Sequence, residues 1–213
     1  MASRHSGRLA LGCIVALGLY LGVSAAAATS QELSHSPLTL ASGRVSIAGT
    51  SNIHTYTAST SAVRVTRLQI ATGALGPNFL DTIVTPGALE GFEIAISAAT
   101  LSSPKDGLDK IMHKALKVTE HPDIVFRLIR LEPRRGVAGA LRGVGLLRIA
   151  GVEREVTLDI TTERKDATLT VQGTLPLQMT DYGIKPPVAM LGMLKTDPKV
   201  TVTFEAVLAI PLT

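Results

Sequence analysis

The stretch VTVTFEAVLAI, residues 200–210, alternates apolar and polar side chains with a period of two. Val200, Val202, Phe204, Ala206, Leu208 and Ile210 fall on one side, and Thr201, Thr203 and Glu205 on the other. Successive residues of an extended strand point to opposite faces, so the pattern suits a strand with one dry face and one wet face. A helix would instead repeat its buried stripe about every three to four residues. The alternation returns in VEREVTLDI (152–160), where Val152, Val156, Leu158 and Ile160 oppose Glu153, Glu155, Thr157 and Asp159. It returns again with Phe92, Ile94 and Ile96 in GFEIAIS, and with Ile124, Phe126 and Leu128 in PDIVFRL. Further strand candidates are 44–49, 52–60, 62–71, 137–149 and 167–175, separated by turn signals such as LGPN, RRG and TDPK. About eight or nine short strands, each with one wet face, predict an all-β antiparallel sandwich or barrel.

One segment breaks the period. In GLDKIMHKALKVTEHPDIVFRL (107–128), Leu108, Ile111, Met112, Ala115 and Leu116 take helical spacing, with Asp109, Lys110, His113, Lys114 and Lys117 on the other face. The expectation is a short amphipathic helix capped by Asp106 or Asp109 and stopped by Pro122, which lacks an amide proton. A second unusual segment is PPVAMLGML (186–194), an apolar, Met-containing run where a solvated loop would be polar. Such a run must cover or touch something. Two readings stand: a cap on the core, or a gate over a cavity mouth in which Met190 and Met193 adapt to an apolar ligand.

The N-terminus bears on the compartment. Arg4 and Arg8 precede an apolar run from Leu9 to Val23 and an alanine-rich stretch, SAAAATSQE. This order reads as an export signal over residues 1–28, cleaved after Ala27 or Ala28, with a retained membrane anchor as the alternative. Residues 29–213 then form one domain with a periplasmic or secreted location. Cys13, the only cysteine, lies too early in the apolar run for a lipid attachment site. The mature domain therefore has no disulfide, no thiol nucleophile and no thiolate metal site. Removing Arg4 and Arg8 from the 21 basic residues leaves 19 against 17 acids, a balance of +2. With no Trp and only four Phe, the chain offers no stacking platform beside a basic patch, so nucleic acid is not an expected partner.

Reactive constellations are sparse. His35, His54, His113 and His121 are the histidines of the mature domain, and the spacing of His113 and His121 fits no common zinc motif. There is no G-x-S-x-G elbow and no phosphate-binding glycine loop; GALRGVG (139–145) lies inside a strand-like run, where glycines mark bulges or a tight bend. No metal, no cofactor and no catalytic residue is expected. His54 and Tyr56 share one face of a candidate strand, either as buried polar groups satisfied by hydrogen bonds or as cavity-wall groups that orient a ligand head.

Taken in order, GTSNIHTYT, the 107–128 segment, GLLRIAGVEREVTLDI, LPLQMTDYGIKPP and the final alternating strand resemble the YceI-like family over roughly residues 38–212. His54 matches that family's early histidine, and Asp181, Tyr182, Gly183 and Ile184 match its aromatic-Gly-Ile turn. The chain departs from the common pattern in its Tyr-Thr after His54, in the KPPVAMLGML loop and in its few aromatics. The resemblance implies a lipocalin-like antiparallel barrel of about eight strands with one short amphipathic helix. It also implies an extracytoplasmic protein that binds an isoprenoid or similar apolar lipid. On this reading the ligand contacts are His54, Tyr56, Phe92, Ile94, Met112, Phe126, Tyr182, Met190 and Met193, and the histidines of 107–128 are structural or at a portal. An enzyme that uses His54 with a carboxylate on an apolar substrate is the rival reading. Apart from the resemblance, a third reading is an interaction protein whose apolar 186–194 loop docks a membrane partner, with transient membrane contact.

Overall fold

The alternating segments become strands in a computed structural model that describes residues 38–189 and 193–210. In chain order they are β1 (Thr39–Ser51), β2 (Thr55–Thr60), β3 (Val63–Ile70), β4 (Leu89–Ser97), β5 (Asp123–Pro133), β6 (Ala140–Ile149), β7 (Val152–Lys165), β8 (Thr168–Gln178), β9 (Val188–Ala189) and β10 (Leu194–Ala209). Nine of them join edge to edge, β2-β1-β10-β8-β7-β6-β5-β4-β3, and β9 pairs only with β10. All pairings are antiparallel, and the sheet curls into the expected barrel. In β7, Leu158 and Ile160 are buried while Glu153, Glu155, Thr157 and Asp159 are exposed, as the sequence period requires. The export signal expected over residues 1–28 lies outside the described residues.

The barrel is not laced shut by a continuous ladder. β2 and β3 are two halves of one bent strand beside β1. β2 is hydrogen-bonded to Val45–Thr50, whereas β3 has no ladder to β1. That seam is packed by side chains instead: a methyl group added to Gly43 would lie 3.3 Å from Val63 Cβ. Above the bend, Ser59 and Ser102 exchange backbone hydrogen bonds of 2.8 and 3.1 Å, tying β2 to the segment after β4.

A second interruption is a fork. β7 and β8 pair only from Asp159/Thr174 to Lys165/Thr168. Beyond that point Val152–Leu158 stays with β6 and Leu175–Gln178 stays with β10, so the two strands part. The 3-10 turn Met179–Tyr182 folds back toward this gap, held where the Arg154 Nε–H donates to the Asp181 carbonyl at 3.0 Å. Gly183 follows at φ 67°, a left-handed conformation that glycine adopts without a Cβ clash.

The two ends differ. One rim carries the β1–β2 turn, the β6–β7 turn, the fork and the connection from β4 to β5; we call it the helix rim. That connection contains α2 (Asp106–Ala115), the expected amphipathic helix. Its ends differ from the sequence expectation. Lys105 sits at the cap position with no side-chain cap, and Asp109 Oδ1 instead accepts the Ser103 amide at 2.8 Å. Pro122 is not the stop. Lys117 turns left-handed at φ 53°, its amide bonds the Lys114 carbonyl and the Val118 amide bonds the His113 carbonyl. These are the two bonds of a Schellman motif, with lysine where glycine is usual. The far rim is plugged by the β3–β4 connection, whose single turn α1 (Phe79–Thr82) had no helical signal in the sequence. Phe79, Leu80 and Ile83 cluster there with Leu38 and Leu169, all buried.

Candidate functional site

Because the strands keep their apolar residues inward, the barrel interior is a chamber walled by hydrocarbon. It is a cavity of about 310 Å³, at the lower end of the range of roughly 300–1,000 Å³ for small-molecule sites. It runs from Pro187 and Thr196 at the helix rim, past Ile47, Ile94 and Leu147, to Ile83 and Leu169 at the far rim. Leu108, Ile111, Met112, Ala115 and Leu116 of α2 supply wall on the helix side. An elongated, nearly all-carbon chamber suits an extended apolar chain better than a compact polar solute.

The hollow has a local cause. A period-two face made only of large residues would fill a barrel of this size with side chains. Here glycines interrupt the inward face, and aromatic rings lie down on them. A Cβ on Gly173 would meet the Phe204 ring at 2.3 Å, one on Gly145 would meet the Phe126 ring at 2.5 Å, and one on Gly49 would meet Tyr56 Oη at 2.2 Å. Gly173 faces Phe204 and Gly49 faces Tyr56 directly across the ladder. Each ring therefore packs flat along the wall, in the manner by which aromatics cover strand glycines, and leaves the lumen open. Gly143 and Gly145 act on this inner face of β6, beside a register irregularity at Leu128/Arg130, while Gly139 at φ 70° closes the tight turn before the strand, so GALRGVG is no phosphate loop.

Two polar atoms stand out in this wall. Tyr56 Oη and Tyr182 Oη are buried, and neither has a hydrogen-bond partner among the described residues. Both belong to the helix rim: Tyr56 is opposite Gly49, Gly49 opposite Val200 and Val200 opposite Leu177, and Tyr182 ends the 3-10 turn that follows that strand. Burial pushes the Tyr182 phenol up to about 12, the Asp181 carboxylate adds to this, and Arg154 opposes it. Burial also raises Tyr56, helped by the charge of Asp197. Both groups thus stay neutral and can donate or accept at physiological pH.

Of the residues expected to touch a ligand, Tyr56, Phe92, Ile94, Met112, Phe126 and Tyr182 all line the cavity. His54 does not; it lies in the 51–54 turn with its side chain exposed, and the Ser51 hydroxyl donates to its carbonyl at 2.8 Å. The face shared with Tyr56 is lost because β2 begins only at Thr55. Met193 is 70% exposed and outside the wall, while Met190 lies outside the described residues. In the 186–194 run, Pro187 faces the cavity, whereas Val188 and Met193 face solvent. The glycines under the rings were missed, although Leu169, Val171, Gly173, Leu175, Leu177 spells out an inward row with one small member. The histidines of the helical segment are structural: His113 Nε2 lies 2.8 Å from the Leu101 carbonyl, and the His121 ring packs on Gly151. Among the described residues, no group of three or more His, Cys, Asp or Glu is placed to hold a metal.

A curled antiparallel barrel around one apolar chamber, with a helix over one mouth, defines a lipocalin-like binding architecture. The family model of the YceI-like domain matches residues 42–208, and the chain belongs to that family. No curated protein matches it. Solved structures share the fold at low identity. BcnA of Burkholderia cenocepacia is 15% identical with a TM-score of 0.61, over 78% of this chain and 95% of that one. A polyisoprenoid-binding domain from Saccharophagus degradans, implicated in plant cell wall breakdown, is 14% identical with a TM-score of 0.58, over 83% of this chain and 100% of that one. The YceI protein of Campylobacter jejuni is 12% identical with a TM-score of 0.51, over 68% and 79%.

Proposed function

We propose that this protein binds a single apolar lipid chain, of the polyisoprenoid class, in the barrel cavity and does so outside the cytoplasm. The observation that carries the binding reading is the chamber itself, long, dry and walled by aliphatic side chains from rim to rim. The isoprenoid class is supported by the YceI-like family and by the Saccharophagus degradans relative, described as a polyisoprenoid-binding domain. Export is supported by the basic, apolar and alanine-rich order of residues 1–28. The chain enters tail first toward Ile83 and Leu169, and its polar end meets the Tyr56 and Tyr182 hydroxyls. Carriage rather than catalysis is favoured because His54, the base in the rival enzyme reading, is exposed and off the cavity wall.

Native mass spectrometry of protein purified from its own host tests the reading. A co-purifying lipid of isoprenoid repeat mass is the expected result. Protein that arrives empty and also fails to take up a fluorescent prenyl analogue would remove it. N-terminal sequencing of the exported protein, expected to begin near Ala28, tests the location separately.

A further inference from the structure

The three most exposed large apolar side chains of the described residues are Met193 (70%), Ile53 (60%) and Val188 (60%), and all three lie on one tip of the helix rim. The tip is built, not loose. The Asn52 side chain donates to the Met193 carbonyl and accepts the Lys195 amide, both at 2.8 Å. The Asn52 amide donates to the Lys195 carbonyl at 3.1 Å, and Val188 pairs with Lys195 across β9–β10. The β1–β2 turn and the β9–β10 hairpin are thus clamped together, and Ile53, Val188 and Met193 are presented side by side in water. Exposed apolar side chains gathered in one place mark an interaction surface.

Charge says which kind. Lys185 and Lys195 flank the tip and are exposed. The connection carrying α2 adds Lys105, Lys110, Lys114 and Lys117 to the same rim, so Lys165 is the only lysine at the far one. Each of the ion pairs among the described residues is made by an arginine, and none of these lysines is engaged in one. Free ammonium groups on flexible stems around an apolar wedge match a lipid surface: the wedge enters the acyl boundary and the lysines meet anionic headgroups. The tip also adjoins the cavity, since Pro187 and Thr196 in the same strap line it. We propose that the Ile53–Val188–Met193 tip, with Lys185 and Lys195, docks the helix rim onto an anionic membrane surface.

Sedimentation with phosphatidylcholine vesicles, with and without phosphatidylglycerol, tests this on the mature protein. The wild type should partition onto the phosphatidylglycerol vesicles. Ile53→Ser with Met193→Ser should lower that partition by at least about tenfold. Lys185→Gln with Lys195→Gln should lower it by about fivefold per lysine, and only on the anionic vesicles. All four positions are exposed, so melting temperatures should not move, and uptake of a prenyl analogue in vesicle-free solution should persist in both variants. Failure of the wild type to bind either vesicle overturns the proposal, as does unchanged binding by both variants. A dimer that Ile53→Ser with Met193→Ser dissociates without altering vesicle binding also overturns it. Prenyl uptake without vesicle binding would sink the docking surface and leave the cavity reading standing; vesicle binding without prenyl uptake would do the reverse.

Discussion

Tyr182→Phe should stabilise the ligand-free protein and weaken it as a binder. Tyr182 is 3% exposed, and its hydroxyl has no partner among the described residues. In the unfolded chain that hydroxyl is hydrated, so folding strips its water and returns nothing. Burying an unpaired hydroxyl costs on the order of 1–2 kcal/mol, and phenylalanine keeps the ring contacts while removing the cost. For a domain of about 150–250 residues, each kcal/mol moves the melting temperature by roughly 2–4 °C. A rise of a few degrees at neutral pH is therefore expected. The difference should widen in alkali. A phenol with an ordinary value of 10.0, held up to about 12 in the fold, ionises first in the unfolded chain. Its contribution is thus fully present below pH 10 and is lost as pH climbs toward 12, and the variant has no such loss. Phenolate absorbance during an alkaline titration should lose its latest component in the variant. In the proposed binding mode the polar end meets this hydroxyl, so the variant should bind a prenyl alcohol analogue more weakly. A melting temperature that falls by several degrees would refute the reasoning, since it would mean the hydroxyl is satisfied in the ligand-free protein.

Gly173→Ala should cost about 1–3 kcal/mol and reduce uptake of a prenyl analogue, because a Cβ 2.3 Å from the Phe204 ring must drive that ring into the lumen. Phe204→Asp should lower stability by several kcal/mol by placing an unpaired charge in the apolar wall. Glu205→Ala, one residue away on the wet face, should change the melt by no more than about 0.5 kcal/mol; equal effects would break the inside–outside assignment of β10. Lys117→Gly should raise stability by about 1 kcal/mol by relieving the left-handed backbone at φ 53°. A chelator should leave the melting curve unchanged, and a large fall would reveal a structural metal.

The strands were legible because their cause is local in sequence. Each inward row, such as Val200, Val202 and Phe204, repeats every second residue, and no distant information is needed to see it. The α2 segment was legible for the same reason, through its helical spacing. What escaped was set by neighbours far away in the chain. The stop of α2 depends on Lys117 accepting a left-handed turn, which composition does not announce. Tyr56 was placed correctly and His54 was not, because the first residue of β2 is decided by how the 51–54 turn closes on Ser51. The seam beside β3 and the fork between β7 and β8 are properties of pairing, and alternation says nothing about which edge a strand keeps.

The same distinction explains how the barrel stays both hollow and folded. A core normally gains by collapsing, since a void forfeits contacts on every wall atom. Here the walls are fixed by backbone ladders whose register does not depend on what fills the middle. The rings that would otherwise cross the lumen are laid on glycines, so Phe126 and Phe204 bury area against the wall. At the far rim Phe79, Leu80 and Ile83 close the barrel with Leu38 and Leu169. The helix rim is built differently. α2 is a separate lid tied by Asp109 near its N-terminus and by His113 in its last turn, and the fork is closed by the 179–184 turn, which buries Tyr182 and Ile184 and accepts the Arg154 hydrogen bond. The helix rim is thus closed by two separate pieces, α2 and the 179–184 turn, whereas the far rim is closed by a single connection packed on Leu38 and Leu169. In the proposed binding mode a chain passes the helix rim by local displacement of those pieces, and its polar end is left on the side of Tyr56 and Tyr182.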